Sequence, residues 1–329
     1  MHFDLTEDQK EIKSVARQFL ADRSPMARVR EAAEAGRYDE ALWADLVELG
    51  WPGIAVSEEY GGQGLGMVAL AVLLEELGYA CAATPLLCTA TAAAVIDACG
   101  TDSQRAQWLP ALISGEQTAG IGAAELAADA EGAGLVVLID GDGAELVAAP
   151  QVTPFTAIDS TRRYGTVRGD GEPLEPGASD RVRLAISAEV VGLSQRALEM
   201  TVEYVKNRKQ FGVPVGSFQA VSHRCAQMLL YTESARSTAY FAAWAADADQ
   251  DQLPEAAALA AAAACEGGRE VTASAIQAHG GIGFTWEADV HWFYKRAQLD
   301  TALLGGASHH RRALTRIQAA KLAAVGGHT

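Results

Sequence analysis

Residues 208–219 read RKQFGVPVGSFQ. They lie between two runs whose apolar spacing predicts long helices, one over 184–207 and one over 218–247. Arg208 stands at the end of the first, Phe211 and Gly212 turn the chain, and Gln219 opens the second. Donors and an aromatic ring therefore gather at one corner between helices. A guanidinium there can bond a phosphate with two parallel hydrogen bonds. Gln210 and Gln219 can bond a diphosphate or a ribose, and Phe211 can cover an adenine face. The same residues also suit a plain helix C-cap with a solvated arginine, and spacing alone leaves both readings open.

Downstream, the linker DADQDQLPE brings Pro254 to the first helical position. A third helix is expected over 255–278, a short one around 287–296, and a fourth long one over 307–323. Long helices joined by short polar loops point to an antiparallel four-helix bundle in 184–329, and no repeat at a fixed period argues for a solenoid. The third helix ends in QAHGGIGF, residues 277–284. Gly280, Gly281 and Gly283 suit a helix C-cap, and equally a ligand laid against bare amides. His279 beside them fits a structural histidine better than a catalyst.

Upstream, residues 1–115 read as a helical domain. Thr6 and Gln9 form a capping box, with Glu7 and Asp8 in the first turn, and Ile12, Val15, Ala16, Phe19 and Leu20 recur on one face. Another helix fits 39–49, capped by Asp39 and stopped by Gly50 and Pro52. MVALAVLLEELGYACAA is apolar on nearly all sides and belongs in the interior. Gly64, Gly66 and Ala69 imitate a dinucleotide fingerprint, but the helices on both sides exclude the strand-helix-strand unit that it needs. Residues 116–183 turn Gly- and Asp-rich. GLVVLIDGDGAELVAAP predicts a hairpin around DGDG, in a β segment with too few strands for a barrel or sandwich.

The net charge is −16, with 26 Lys and Arg against 42 Asp and Glu. No basic stripe exists for nucleic acid. The five cysteines contain no CxxC pair, and four of them (Cys81, Cys88, Cys99 and Cys265) lie in Ala/Leu-rich runs, as reduced buried thiols do. MHFDLTEDQK has no basic-then-apolar leader, and AAALAAAAAC is too short for a membrane span. A cytoplasmic protein with no membrane contact is expected.

In order and wording, LTEDQKEIKSVARQF, EEYGGQGLG…LLEELGYA, VGLSQRALEMTVEYVKNRKQFGVPVGSFQAV and QAHGGIGFTWEADVHWFYKRA resemble the acyl-CoA dehydrogenase family. The resemblance covers most of the chain and weakens in the middle. It implies a mainly α fold of three parts: an N-terminal helical domain (1–115), a middle β-domain, here reduced (116–183), and a C-terminal antiparallel four-helix bundle (184–329). Family members bind FAD between subunits and desaturate an acyl-CoA between its α and β carbons. R-x-x-F-G and Q-x-x-G-G of one subunit hold the pyrophosphate and adenosine of a neighbour's flavin. Carried over, these contacts are Arg208, Gln210, Phe211, Gln219, Gln277, Gly280 and Gly281.

The family's catalytic base departs from the pattern. Many members carry it as the Glu of a Tyr-Glu-Gly-Thr-like stretch, where this chain has Leu304, Gly305, Gly306 and Ala307. Others place a Glu before an Arg at the start of the bundle, where this chain has Val182 before Arg183. The Thr-Glu-Pro…Gly-Ser-Asp and Trp-Ile-Thr-like stretches are missing too. No catalytic residue and no metal ligand set is assigned. Glu189 reads as a helix residue, and His309 and His310 as a polar surface or subunit contact. The resemblance then implies a partner subunit in a heteromeric α2β2 dehydrogenase, with a full-length sister supplying base and acyl-CoA site. Such assemblies act on steroid-derived CoA thioesters. The alternatives are a self-sufficient enzyme with a displaced base at Glu189 or His309, and a flavin-free scaffold.

Overall fold

The computed structural model describes residues 4–326, so residues 1–3 and 327–329, at the outer edges of the expected terminal domains, lie outside it. The first helix, α1 (Glu7–Arg23), begins at the expected capping box: Thr6 Oγ1 accepts from the Gln9 N–H at 3.2 Å, and Gln9 Oε1 accepts from the Thr6 N–H at 3.0 Å. The next, α2 (Met26–Ala35), was not singled out by its spacing, because it buries only Val29, Ala32 and Ala33. Asp39 caps α3 (Glu40–Glu48), and Gly50 ends it with φ +71°. The EYGGQGLG stretch is a turn into α4 (Gly66–Ala80), with helix on both sides and no strand-helix-strand unit. From Ala69 to Gly78 α4 is buried without a break, as its all-round apolar sequence predicts. The helices α5 (Leu86–Cys99) and α6 (Asp102–Ile113) complete this part.

The middle segment forms β1 (Ala119–Ala123), β2 (Leu126–Ala128), β3 (Leu135–Asp140), β4 (Gly143–Ala148), β5 (Gln151–Phe155), β6 (Tyr164–Arg168) and β7 (Gly171–Pro173). They make one seven-stranded sheet in the order β5-β6-β2-β1-β3-β4-β7. The β3–β4 hairpin turns at DGDG as expected, with Asp140 opposite Gly143. Neighbours are antiparallel except β1 and β3. The segment is one small sheet, neither barrel nor sandwich, as expected, but it holds more strands than the sequence displayed. Strands such as AGIGA, LAA and GEP are too short and too poor in large side chains to show a two-residue alternation, so they read as loop.

The rest is helical: α7 (Ala178–Asn207), a short hairpin of β8 (Lys209–Gln210) and β9 (Val213–Pro214), then α8 (Gln219–Ala248), α9 (Leu253–His279), α10 (Val290–Leu303) and α11 (Ala307–Gly326). The long helix α7 starts at Ala178, not at residue 184. Its first turns are buried but polar, so they carry no apolar signal: Arg181 bonds Gln250 at 2.9 Å and Arg183 bonds Asp180 at 2.8 Å.

Two glycines fix how α7 crosses α4. A Cβ on Gly192 would lie 1.8 Å from the Glu75 carbonyl oxygen, and one on Gly78 would lie 2.2 Å from that of Glu189. The two backbones touch, and any side chain at either point would force them apart. This crossing seats the middle of α7 deep between the N-terminal helices and the rest of the bundle.

Candidate functional site

Helices α7, α8 and α9 follow one another through short connections, so the end of α7, the start of α8 and the end of α9 share one end of the bundle. Two contacts tie them there. The rings of Tyr204 and His279 stack at 4.4 Å between centroids, and Arg224 Nη1 lies 3.4 Å from Ser274 Oγ. The structure thus brings RKQFG and QAHGG together across about seventy residues of chain. His279 itself is structural: its Nδ1 bonds the Ala275 carbonyl at 2.8 Å, and burial lowers its pKa.

Around that corner the predicted residues are bare. Arg208, Gln210, Phe211, Gln219, Gln277, Gly280 and Gly281 are all exposed. Among the described residues Arg208 forms no ion pair, and Gln210 bonds only the neighbouring Lys209 carbonyl, at 2.9 Å. Phe211 and Gly212 are the two turn residues of the β8–β9 hairpin, with φ of +53° and +82°. Such a turn favours Asn or Gly at its first position. Here the position holds a phenylalanine that is 92% exposed. A left-handed non-glycine residue costs about 1 kcal/mol, and the exposed ring adds an apolar surface with nothing of its own chain to cover it except the edge of Phe218. At Gly280 (φ +66°) and Gly281 an added Cβ would meet nothing within 4 Å, so a ligand can approach both amides. Those features fit a flat, phosphorylated ligand: one free guanidinium, amide side chains, an exposed ring and open backbone.

The positions for a base look different. Gly305 and Gly306 have φ of +78° and +82°, and each Cβ direction opens on empty space. A glutamate at Gly305 would lack steric opposition but would sit in a left-handed conformation that disfavours it. Val182 is fully buried, and Arg183 turns away to Asp180 and to the Gly141 carbonyl at the hairpin tip. His310 is buried, its Nε2 2.6 Å from the Leu304 carbonyl, and burial lowers its pKa to about 4. Among the described residues no group of three or more His, Cys, Asp or Glu is placed to hold a metal ion.

Glu189, the other position considered for a base, is buried and paired. Its Oε1 accepts from Arg162 Nη2 at 2.5 Å and from Arg296 Nη1 at 3.1 Å, and its side chain is fully buried. It belongs to a network that the sequence did not reveal. Arg162 also bonds Asp300 at 3.1 Å. Arg296 bonds Asp159 at 3.2 Å and the Ala82 carbonyl at 3.2 Å. Asp159, Thr161, Arg162, Glu189, Arg296 and Asp300 are 0–3% exposed. Burial and the nearby Glu189 push the Asp300 carboxyl well above the usual range, so a retained proton there lets three acids balance two guanidiniums. The network joins the loop before β6, the end of α4, and helices α7 and α10. It fills the junction of all three parts of the molecule. Its members come from four separate segments, so no single stretch carried the pattern.

The buried thiols follow the sequence: Cys81, Cys88, Cys99 and Cys265 are free and buried, with Cys81 and Cys265 pushed up to about 12. No described helix is long and apolar enough to cross a membrane.

Comparison with known proteins places this architecture. Residues 6–116 match the acyl-CoA dehydrogenase N-terminal domain, and residues 177–318 match the acyl-CoA dehydrogenase C-terminal domain. Mycobacterium tuberculosis acyl-CoA dehydrogenase IpdE2 is 36% identical over 91% of this chain and 93% of its own length. The match to FadE34 of the same organism, 32% identical over 93% of this chain, takes up 47% of that protein. Among solved structures, the Tcur3481–Tcur3483 steroid acyl-CoA dehydrogenase superposes with a TM-score of 0.87 at 31% identity, over 96% of this chain and 99% of that one. The ChsE4–ChsE5 complex from M. tuberculosis shares the fold with a TM-score of 0.87 at 24% identity, over 97% and 99% of the two chains. With its helical N-terminal part, its small sheet and its bundle each matched, the chain belongs to the acyl-CoA dehydrogenase family.

Proposed function

We propose that this chain is the partner subunit of a heteromeric FAD-dependent acyl-CoA dehydrogenase. The observation that carries the reading is a contrast within one helix. The end of α7 presents uncovered groups suited to a dinucleotide, while its middle is closed by paired charges where a chemical site of its own would need room. Arg208 and the amides of Gly280 and Gly281 would hold the pyrophosphate of FAD. Gln210, Gln219 and Gln277 would bond the ribose and phosphate oxygens, and Phe211 would cover the adenine. The flavin, when bound, supplies the hydride acceptor for α,β-desaturation. The carboxylate base and the acyl-CoA pocket belong to a full-length sister subunit, in an α2β2 assembly with two FAD.

Support comes from the relatives. The Tcur3481–Tcur3483 enzyme is named by two components and as a steroid acyl-CoA dehydrogenase. FadE34 has room for a second unit beyond the part that matches this chain. A bulky steroid-derived CoA thioester is therefore the substrate class assigned here. The chain's own oxidoreductase family and FAD cofactor follow the same line.

Gel filtration of the chain alone and co-expressed with a full-length sister, with absorbance read at the flavin band, tests this. Colourless protein alone and a yellow heterotetramer with one FAD per pair are expected. A yellow, active homo-oligomer from this chain alone would overturn the proposal. A stable complex without flavin would mark the chain as a scaffold.

A further inference from the structure

Beside the glycine turn that ends α9, a pocket of about 450 Å³ opens toward α10, walled by Ile276, Phe284, Trp286, His291, Tyr294 and Lys295. Among the described residues neither ring nitrogen of His291 has a hydrogen-bond partner, although the residue is only 8% exposed. The buried Trp292, whose ring centroid lies 4.7 Å from that of His291, leaves its indole N–H unpaired as well. Buried polar atoms are nearly always paired. Three unpaired ones around one pocket mean that a molecule from outside the chain completes its wall.

Donors outnumber acceptors there. Lys295 Nζ lies 4.2 Å from the Trp286 ring centroid and forms no ion pair among the described residues. Asp289 is taken by Arg30 at 2.5 Å, and Asp159 by Arg296 at 3.2 Å. Burial and the nearby Lys295 lower the His291 pKa to about 4, so near neutral pH its ring offers one N–H and one acceptor nitrogen. An ammonium, an imidazole N–H and an indole N–H against one acceptor call for a carboxylate, which only accepts and carries the opposite charge. The mouth indicates what carries it. Phe284 and Trp286 are 77% and 73% exposed, so an apolar rim stands bare around the pocket. A small molecule is held by walls that enclose most of its surface. Bare aromatic rings around an anchoring pocket are instead how one protein surface receives another.

We infer that the pocket is a docking socket for the sister subunit: an acidic side chain of the sister enters to pair with Lys295 and His291, and the apolar residues flanking it cover Trp286 and Phe284. The inference rests on the function proposed above and adds a contact that holds no cofactor. Gly283 lines the pocket, and Gly280 and Gly281 stand just before it. A subunit that brings its flavin to those two amides reaches the socket with its own surface. With 42 acidic residues against 26 basic ones, this chain repels an acidic segment over most of its surface, so an uncovered ammonium fixes where such a segment lands.

A carbodiimide, which joins an amine to a carboxylate in direct contact, tests this on the purified flavin-loaded complex. It should link Lys295 to an Asp or Glu of the sister, identified by mass spectrometry of the joined peptides. Trp286→Ala and Lys295→Gln change exposed or half-buried side chains, so the denaturation curve of the chain alone should not move. Each should raise the Kd for the sister at least tenfold, and Lys295→Arg, which keeps the charge, should raise it less. At concentrations that saturate the complex, Lys295→Gln should still carry one FAD per pair. A loss of flavin there would make the lysine a cofactor contact and overturn the inference. Links from Lys295 only to its own chain or to a second copy overturn it too, as does a small acid that co-purifies in the pocket and is lost in Lys295→Gln. A yellow complex whose Kd ignores both substitutions removes the socket alone. No complex of any kind removes the proposed function, and this contact with it.

Discussion

Glu189 lies within α7 and Arg208 caps its C-terminal end, nineteen residues further along the chain, and their surroundings are opposite. Glu189 is buried among guanidiniums, with Asp159, Thr161, Arg162, Arg296 and Asp300 also closed off from solvent. Arg208 is exposed beside a phenylalanine held left-handed in a hairpin turn, with open glycine amides nearby. A buried charge persists only with partners, and these charges pair with one another inside this chain, although Arg162 Nε, Glu189 Oε2 and Asp300 Oδ2 are left without a hydrogen bond. An exposed aromatic residue in a left-handed conformation has no such internal reason, which is what the proposed cofactor contact would supply. Charged residues alone therefore do not mark a site in this molecule. Uncovered ones do.

The largest expected effect lies in the closed region. Arg296→Met removes the group that bonds Asp159, Glu189 and the Ala82 carbonyl, and leaves carboxylates buried without it. The expected loss is about 3–5 kcal/mol of stability, read by urea denaturation of the purified protein. The double variant Arg296→Met with Glu189→Met should recover part of it, because it removes one of the orphaned charges. A single-variant loss below about 1 kcal/mol would mean that the junction is wet, and the comparison with the bundle end would fail.

Arg208→Ala should leave that denaturation curve unchanged, since the side chain is exposed and unpaired. In the complex with its sister, FAD affinity should fall at least tenfold, matching the about 1.5–3 kcal/mol of a charge-assisted hydrogen bond. Gln277→Ala, a neutral contact, should cost less than Arg208→Ala. Flavin content and Kd of the reconstituted complex measure both. Equal flavin retention in all three proteins would remove the bundle end from the cofactor site.

The open region was legible because its residues fall in two short segments with an ordered pattern. RKQFG and QAHGGIGF stood out through their family resemblance, since spacing alone left each open to a plain cap, and the helices between them follow from apolar spacing. The capping box at Thr6 and the hairpin at DGDG are equally local. The closed region was not legible, for a physical reason. Asp159, Arg162, Glu189, Arg296 and Asp300 are each unremarkable polar residues in their own segments, and only the tertiary fold joins them. Glu189 reads in the sequence as a helix residue, and its two arginines were out of reach. The early start of α7 escaped for a related cause: its first turns are buried by hydrogen bonds to Gln250, Asp180 and the hairpin tip, not by apolar side chains.

The smallest effect should come from Asp300, and it tests how the network balances its charge. Burial and Glu189 raise this carboxyl well above the usual carboxylate range, so the folded chain keeps a proton that the unfolded chain loses as pH rises. The sign follows from proton linkage: the unfolded state binds fewer protons in that window, and stability falls as pH climbs above about 4 toward the raised value. Asp300→Asn resembles the protonated acid. Its side-chain oxygen can still accept from Arg162 Nη1, which lies 3.1 Å from Asp300 Oδ1. At pH 5 the substitution should change stability by less than about 1 kcal/mol. As pH rises toward 9 the amide should become the more stable of the two, because it has no proton to lose. Denaturation curves for the two proteins at pH 5, 7 and 9 decide the point. A large loss at every pH would mean that Asp300 is ionised in the fold, and that three buried carboxylates face two arginines without a proton to reconcile them.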